Sequence, residues 1–197
     1  MEKGKLYSFE IKGWKEPICG IVEAFSVDWI LIKWIINDFL FDGYSVIQRR
    51  HIKKCFQDEN LLFKESVLRA KGVMDIPTPE IPIDSKSAPL KWFCDNMNIV
   101  LVSPIDESVC DVGKITKVLN RVFYLKTMDC EGKWDNVYDN CLLSEIVSVS
   151  IDTDYVKSLL IYSLKFEKWE LIKVFILWKI RDYILFTLKT GRIPYRE

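Results

Sequence analysis

The feature that most constrains the fold is a pattern of about 40 residues that occurs twice along the chain. When the sequence is shifted by 93 residues, segment 20–52 falls on segment 113–146, and one inserted residue, Val137, changes the offset to 94. The identical residues at equivalent positions are Gly20 and Gly113, Lys33 and Lys126, Asp42 and Asp135, Tyr44 and Tyr138, Ile52 and Ile146, and Asp58 and Asp152. Agreement in order, length and turn residues predicts an internal duplication.

Each copy has the pattern of consecutive short strands separated by turn residues. In the first copy the predicted strands cover 6–11, 18–26, 29–36 and 44–49, with a short one at 52–56. The predicted turns lie at Val27-Asp28 and Asp42-Gly43 in the first copy and at Asn120-Arg121 and Asp135-Asn136 in the second. Asn, Asp and Gly tolerate the left-handed backbone that tight turns demand.

A helix is predicted at the end of each copy, over 58–70 and 152–163. Each begins at an aspartate, Asp58 or Asp152, which is a preferred N-cap residue. Apolar residues recur at helical spacing in both segments, so one face of each helix is expected to pack on the strands.

Four or five short antiparallel strands in about 50 residues are most easily satisfied by a small, strongly bent barrel, because closure removes exposed edges. A strand-rich unit with long second and third strands and an Asp-Gly turn before the fourth resembles the Sm-like small β-barrels. The resemblance covers 6–56 and 99–149 and concerns the fold alone. It implies a mainly β (α+β) protein with two tandem Sm-like barrels, each followed by a helix.

The predicted organisation has four parts. A first barrel-plus-helix repeat (1–72) is followed by a Pro-rich linker (73–90) and a second repeat (91–163). The last part, 164–197, is a hydrophobic C-terminal extension expected to pack on the repeats. Its residues 170–188 alternate apolar and charged positions, which favours a hairpin of strands, with a single long helix as the alternative.

Composition limits the class of protein. Apolar residues make up 49% of the chain and 28 basic residues balance 28 acidic ones, which is typical of a folded domain without a global nucleic-acid-binding charge. No uninterrupted apolar span or signal-peptide pattern is present, so no membrane span is predicted and the expected location is the cytoplasm. The six cysteines have no C-x-x-C spacing and are expected to be reduced thiols.

One local basic cluster is the candidate binding patch. It consists of Arg49, Arg50, His51, Lys53 and Lys54, predicted to lie on one strand, and it is supplemented by Trp14 in a polar loop. Cations on a strand can bind phosphate or an acidic partner, and they also protect an edge strand from aggregation. His51, the one histidine of the chain, has no sequence motif that would give it a nucleophile or an orienting carboxylate.

These observations favour a non-enzymatic binding or adaptor protein whose partner is another protein. No catalytic, cofactor or metal motif is found, and a narrower form of the hypothesis is a cytoplasmic inhibitor or immunity-type protein. The alternative is nucleic-acid (RNA) binding through the basic strand Arg49–Lys54. A hydrolase built on the carboxylates Asp38, Asp42, Glu131 and Asp135 is a third hypothesis. The sequence does not specify the oligomeric state.

Overall fold

The computed structural model describes residues 1–163, and the C-terminal extension 164–197, predicted as hairpin strands or a long helix, lies outside them. The described part contains ten strands, two α-helices, a further helical segment at 154–163 that ends the described residues, and three short 3-10 turns. The strands are β1 (Leu6–Ile11), β2 (Ile18–Phe25), β3 (Trp29–Ile36), β4 (Leu40–Gln48), β5 (Ile52–Phe56), β6 (Ile99–Pro104), β7 (Asp111–Val118), β8 (Val122–Met128), β9 (Trp134–Leu142) and β10 (Ile146–Ile151). The helices are α1 (Glu59–Ala70) and α2 (Ala88–Asp95), and the 3-10 turns cover Arg49–His51, Val73–Asp75 and Leu143–Glu145.

All ten strands belong to one open antiparallel sheet, which confirms the prediction of a mainly β protein. Their order across the sheet is β5-β1-β2-β3-β4-β10-β6-β7-β8-β9. In each half of the sheet, the fifth strand therefore pairs with the first strand. The fourth strand lies at the opposite side of that half. The two halves are joined by β4 and β10, where Tyr44 lies opposite Ile151 and Ile47 opposite Ser148. Within residues 1–163, β5 and β9 each pair with one strand and form the two edges.

The two halves also share the irregularities of their hydrogen-bond ladders. In the first half, the register of β2 on β3 shifts between Val22 and Ala24, and in the second half that of β7 on β8 shifts between Ile115 and Lys117. A second shared shift falls between Lys33 and Ile35 on β3 and between Lys126 and Met128 on β8. These positions differ by 93 residues, the offset at which the sequence pattern recurs.

A single large core connects the two halves. Its buried members include Trp29 and Val46 from the first half, Phe123 and Val149 from the second, and Leu90 from α2. These side chains are buried because antiparallel strands with one covered face alternate apolar and polar positions, and α2 lies over β7. Neither half therefore completes its apolar packing alone.

The Pro-rich segment lies against this core. Ile81 is 5% exposed and belongs to the same buried cluster. The Trp29 Nε1–H donates to the carbonyl oxygen of Lys86 at 3.2 Å, and the Tyr44 hydroxyl donates to the carbonyl oxygen of Pro77. Proline favours an extended backbone, which lets these carbonyl groups reach side chains on the sheet.

Three local predictions need correction. Asp42-Gly43 lies inside β4, where Gly43 has a φ of 80°, and the chain turns earlier, at Asn37 and Asp38 with φ angles of 43° and 69°. Asp135-Asn136 lies inside β9, and the turn before it contains Gly132.

The third correction concerns the helical segment 154–163. Its N-cap is Thr153, whose Oγ1 accepts from the Val156 N–H at 3.2 Å, because Asp152 has a left-handed φ of 58°. Asp58 does cap α1, as its sequence indicates, by accepting from the Leu61 N–H at 2.8 Å.

Candidate binding surfaces

The predicted basic strand is divided between a turn and an edge strand. Arg49, Arg50 and His51 form a 3-10 turn, and only Lys53 and Lys54 lie on β5. The prediction of one continuous strand from Arg49 to Lys54 is therefore wrong, because three consecutive polar residues complete a turn that closes on Ile52. Arg49 and Arg50 follow β4 in the middle of the sheet, whereas Lys53 and Lys54 lie on the edge strand β5.

Most of these cations have contacts within the chain. Arg49 Nη1 donates to the Ser26 carbonyl at 2.8 Å and Arg50 Nη2 donates to the Leu143 carbonyl at 2.9 Å. Both bonds link neighbouring turns, so the arginines help to fix the ends of the strands. On β5, Lys53 Nζ lies 3.9 Å from a Glu10 carboxylate oxygen, and Lys54 Nζ lies 4.7 Å from the centre of the Phe56 ring.

In the part of the chain that the structure describes, His51 has none of the partners expected of a catalytic base. Its Nε2 is buried and has no hydrogen-bond partner among the described residues. Burial and the neighbouring positive charge of Arg50 lower the pKa of His51, and a hydrogen bond with the backbone of Ser144 opposes them only in part. The imidazole is therefore neutral at pH 7 and packs between two turns.

Trp14 is half-buried and fastens the first half of the sheet to the second. Its Nε1–H donates to the carbonyl oxygen of Ile105 at 2.9 Å. The backbone N–H groups of the next two residues, Lys15 and Glu16, donate to the carboxylate of Glu107 at 2.8 and 3.0 Å. These two bonds lower the pKa of Glu107. Trp14, which the sequence places in a polar loop beside the basic patch, thus belongs to a latch between the halves, which we call the Trp14–Glu107 latch.

The edge strand β9 is a surface that the sequence did not indicate. Every residue from Asp135 to Asn140 is exposed, so both faces of the strand are uncovered in the described structure. Val137 and Tyr138 are 69% and 52% exposed, and Leu142 is 44% exposed. An edge strand that is long, exposed on both faces and partly apolar can accept an additional strand from a partner. The only sequence signal for it was the loss of apolar alternation in "WDNVYDNCL".

A cleft of about 490 Å³ lies between the basic turn and the second half. Arg50, Lys86 and Arg121 contribute three positive charges to its lining, and Asn120 and Ser144 contribute polar groups. The cleft extends the basic patch toward the turn between β7 and β8. Among residues 1–163, no carboxylate contributes to its lining.

The carboxylates that suggested a hydrolase are separately engaged. Their partners are Lys64 for Asp38, the Asp154 N–H for Asp42, Lys133 for Glu131 and the Thr127 hydroxyl for Asp135. In the part of the chain described, no group of three or more His, Cys, Asp or Glu side chains could hold a metal ion. The six cysteines are unpaired, and burial raises the pKa of Cys19 and Cys141 to about 11, which keeps both thiols protonated.

Comparison with protein-family models, curated proteins and solved structures finds no match to this chain. Among residues 1–163, no helix is both long and apolar enough to cross a membrane.

Proposed function

We propose that this chain is a non-enzymatic adaptor that binds another protein through the edge strand β9. The observation that supports the proposal is that residues on both faces of β9 are exposed. An unpaired edge offers backbone N–H and C=O groups to an extended segment, and the exposed Val137 and Tyr138 add apolar contacts. The contacts that the four carboxylates make within the chain support the non-enzymatic part of the proposal.

The proposed architecture is a tandem duplication of an Sm-like small β-barrel unit. The recurrence of strand order and of ladder shifts at an offset of 93 residues supports the duplication. When two such units are joined in one sheet, each unit keeps one strand at an outer edge, β5 in the first and β9 in the second. On this proposal, β9 has lost the alternation of apolar and polar residues. On this proposal, the first unit provides stability and the second has diverged into the binding surface.

The experiment is affinity capture from native cell extract with the full chain as bait. The wild type is compared with the double variant Val137→Lys and Tyr138→Lys, and with the matched control Phe25→Lys and Val27→Lys, which changes exposed apolar residues at the turn between β2 and β3. Proteins retained by the wild type and the control but lost from the β9 variant support the proposal. Equal retention by all three baits contradicts it.

The second candidate function is nucleic-acid binding through Arg49–Lys54, favoured by the three cations of the adjoining cleft. A gel-shift titration with single- and double-stranded RNA and DNA tests it. Replacing Arg49, Arg50, Lys53 and Lys54 with Ser removes about four phosphate contacts, so a real interaction would weaken and its salt dependence would fall. We expect no salt-dependent binding in the wild type, since the chain has no net positive charge and the two arginines already contact backbone carbonyls.

A further inference from the structure

We propose that the C-terminal extension 164–197 of the same chain covers the exposed strand β9, and that a protein partner must displace it. This inference rests on the proposed function, since it names what occupies the binding edge before a partner arrives. The extension lies outside the described residues, and the position, exposure and charge of the described residues around β9 point to it as the occupant.

The described chain ends beside the start of β9. Gly132 lies in the turn that leads into β9, and a Cβ added there would be 3.3 Å from the backbone nitrogen of Ser163 and 3.5 Å from the Cδ1 atom of Tyr162. Trp134, the first residue of β9, and Leu160 of the final helical segment pack against the same buried cluster. The extension therefore begins at one end of the strand that we propose it covers.

The extension is long enough to follow β9 to its far end. The nine residues of β9 span about 30 Å at roughly 3.4 Å per residue. The 34 residues from 164 to 197 reach about 50 Å even at roughly 1.5 Å per residue, the rise of a helix, and about 100 Å as a strand. Both conformations considered from the sequence therefore provide the necessary reach.

Apolar side chains are uncovered both on β9 and on the helical segment beside its start. Ile161 and Tyr162, in the last turn of that segment, are 61% and 54% exposed, and Val137 and Tyr138 on β9 are 69% and 52% exposed. Removing such side chains from water is favourable. The extension contains the long apolar stretch "ELIKVFILWKIRDYILFTL", so it can bury this surface without a second molecule.

Charge complementarity points to the same occupant. β9 carries Asp135 and Asp139 and no basic residue, whereas the extension carries eight basic and four acidic residues, a net charge of +4. Among residues 1–163, Asp139 takes part in no ion pair. Burial and, to a smaller extent, the negative charge of Asp139 raise the pKa of Asp111. The extension offers cations to this acidic strand, and the two lysines of β5 would repel it.

Occupation by the extension limits which proteins can bind β9. A tethered segment acts at an effective concentration of roughly millimolar, so a partner with weak affinity for β9 alone does not displace it. The extension thereby restricts β9 to partners that bind it tightly or that also bind the extension.

Photo-crosslinking of the full chain identifies the occupant. Tyr138→p-benzoylphenylalanine places the probe on β9 in place of another aromatic side chain, and mass spectrometry maps the links formed on irradiation. The matched control is Phe25→p-benzoylphenylalanine, at the exposed end of β2. A mixture of isotope-labelled and unlabelled chains separates links within one molecule from links between two. We expect links from residue 138 to residues 164–197 of the same molecule, and none to them from residue 25.

Thiol labelling measures how completely β9 is covered. Val137→Cys and the matched control Val27→Cys each replace a valine that is exposed in the described structure, by 69% and 82%. Peptide mapping separates the label at these positions from the label at native cysteines. We expect residue 137 to be labelled at least about tenfold more slowly than residue 27, because labelling requires the covering segment to open.

Charge reversal in the extension links the slow labelling to its cause. Lys173→Glu, Lys179→Glu and Arg181→Glu together should speed the labelling of residue 137 about tenfold, which corresponds to about 1.4 kcal/mol of lost attraction, and leave that of residue 27 unchanged. Added negative charge by itself would raise the pKa of a nearby thiol and slow its labelling, so faster labelling reports the uncovering of β9.

Four results would overturn the inference: links from residue 138 that reach a second copy or only residues 1–163, equal links to the extension from residue 25, equal labelling of residues 137 and 27, or no acceleration on charge reversal. If these occur while the β9 variant still loses a captured protein, β9 is an open edge and the adaptor function stands. If residue 138 is linked to the extension while all capture baits retain the same proteins, the inference stands and the adaptor function is wrong.

Discussion

At the residue scale, Lys33 and Lys126 occupy equivalent positions in the recurring sequence pattern but lie in different environments. The side chain of Lys33 is 2% exposed, and its Nζ lies 3.3 Å from a Glu23 carboxylate oxygen and donates to the Met74 carbonyl at 2.7 Å. Its counterpart Lys126 is half-buried and lies 5.4 Å above the ring of Trp134. The difference arises because the 3-10 turn after α1 covers Lys33 with a carbonyl group. A buried lysine is tolerated only with such partners.

Replacing this buried charge should be costly. Lys33→Met leaves the Glu23 carboxylate, itself largely covered, without its cation, so we expect the free energy of unfolding to fall by roughly 3 kcal/mol. The matched variant Lys126→Met loses a cation–π contact at a half-exposed site and should cost about 1 kcal/mol. Urea unfolding followed by circular dichroism measures both. Equal losses in the two variants would contradict the assigned difference in environment.

The Trp14–Glu107 latch should make the join between the halves sensitive to acid. The pKa of Glu107 is lowered in the folded chain, so its contribution to stability is present above the pKa of an unfolded glutamate and is lost as pH falls through the folded pKa. We expect Glu107→Gln to destabilise the chain at pH 7 and to lose this effect in acid. The measurement is the urea midpoint of wild type and variant across that pH range, with Glu2→Gln as the control. A difference that does not shrink in acid would argue against the latch.

At the scale of secondary-structure elements, the sequence predicted the strand bounds that are set by the pattern of apolar residues. The bounds of β1, β3 and β5 were predicted correctly. In β3 the reason is a long run of branched and aromatic residues that ends at polar turns. The mistake at Asp42-Gly43 arose because the same dipeptide suits both a turn and a bulge. The structure turns earlier, at Asn37 and Asp38, since Phe39 and Phe41 pack with the cluster beneath α1.

Replacing Gly43, which lies on β4 at the join between the halves, should lower the free energy of unfolding strongly. A Cβ added there would lie 2.2 Å from the Ile151 carbonyl oxygen, and its φ of 80° is unfavourable for other residues. Gly13 has a similar φ of 86° but nothing within 4 Å of an added Cβ, so it is the matched control. Gly13→Ala should cost about 1–2 kcal/mol of unfolding free energy from backbone strain alone. Gly43→Ala should cost at least about 2 kcal/mol more, because backbone must move.

Thermal unfolding of the two glycine variants gives the comparison, and amide hydrogen exchange locates the damage. Exchange should accelerate in β4 and β10 of Gly43→Ala and remain unchanged there in Gly13→Ala. Equal stability of the two variants would mean that the close approach of Gly43 to Ile151 does not constrain the join.

The candidate site was only partly predictable at this scale. The basic residues Arg49–Lys54 were identified by charge, but their division into a turn and an edge strand depends on where the ladder of β5 begins. β9 was missed because its polar side chains resemble a loop pattern, and its exposure depends on which strands lie beside it. Strand order is a tertiary property, so a pattern within one strand does not reveal which strand forms an edge.

At the scale of the whole molecule, the two halves share one buried apolar cluster. Trp29 and Val46 pack in the same cluster as Phe123 and Val149, and Ile81 and Leu90 from between the halves complete it. The sequence did not predict this shared cluster, because a proline-rich segment between two similar sequence patterns is typical of a linker. The apolar Ile81 and Ile83 within it were the available signal.

A single unfolding transition is therefore expected. Urea titration of the full chain, at low protein concentration to limit association, should give coincident midpoints by circular dichroism and by tryptophan fluorescence. The fragment 1–72 should show no cooperative transition, because it lacks most of the cluster. Two resolved transitions, or a folded fragment, would mean that the halves are independent domains.

The join between β4 and β10 also determines when the chain can finish folding during its synthesis. Tyr44 pairs with Ile151, so the outer side of β4 has no partner until about a hundred further residues have been translated. At roughly 5–20 residues per second this interval lasts on the order of 5–20 s, far longer than the microseconds in which a hairpin forms. The nascent first half consequently spends that time without the partner of β4 and without most of the shared core, which makes it a substrate for chaperones that bind exposed apolar segments.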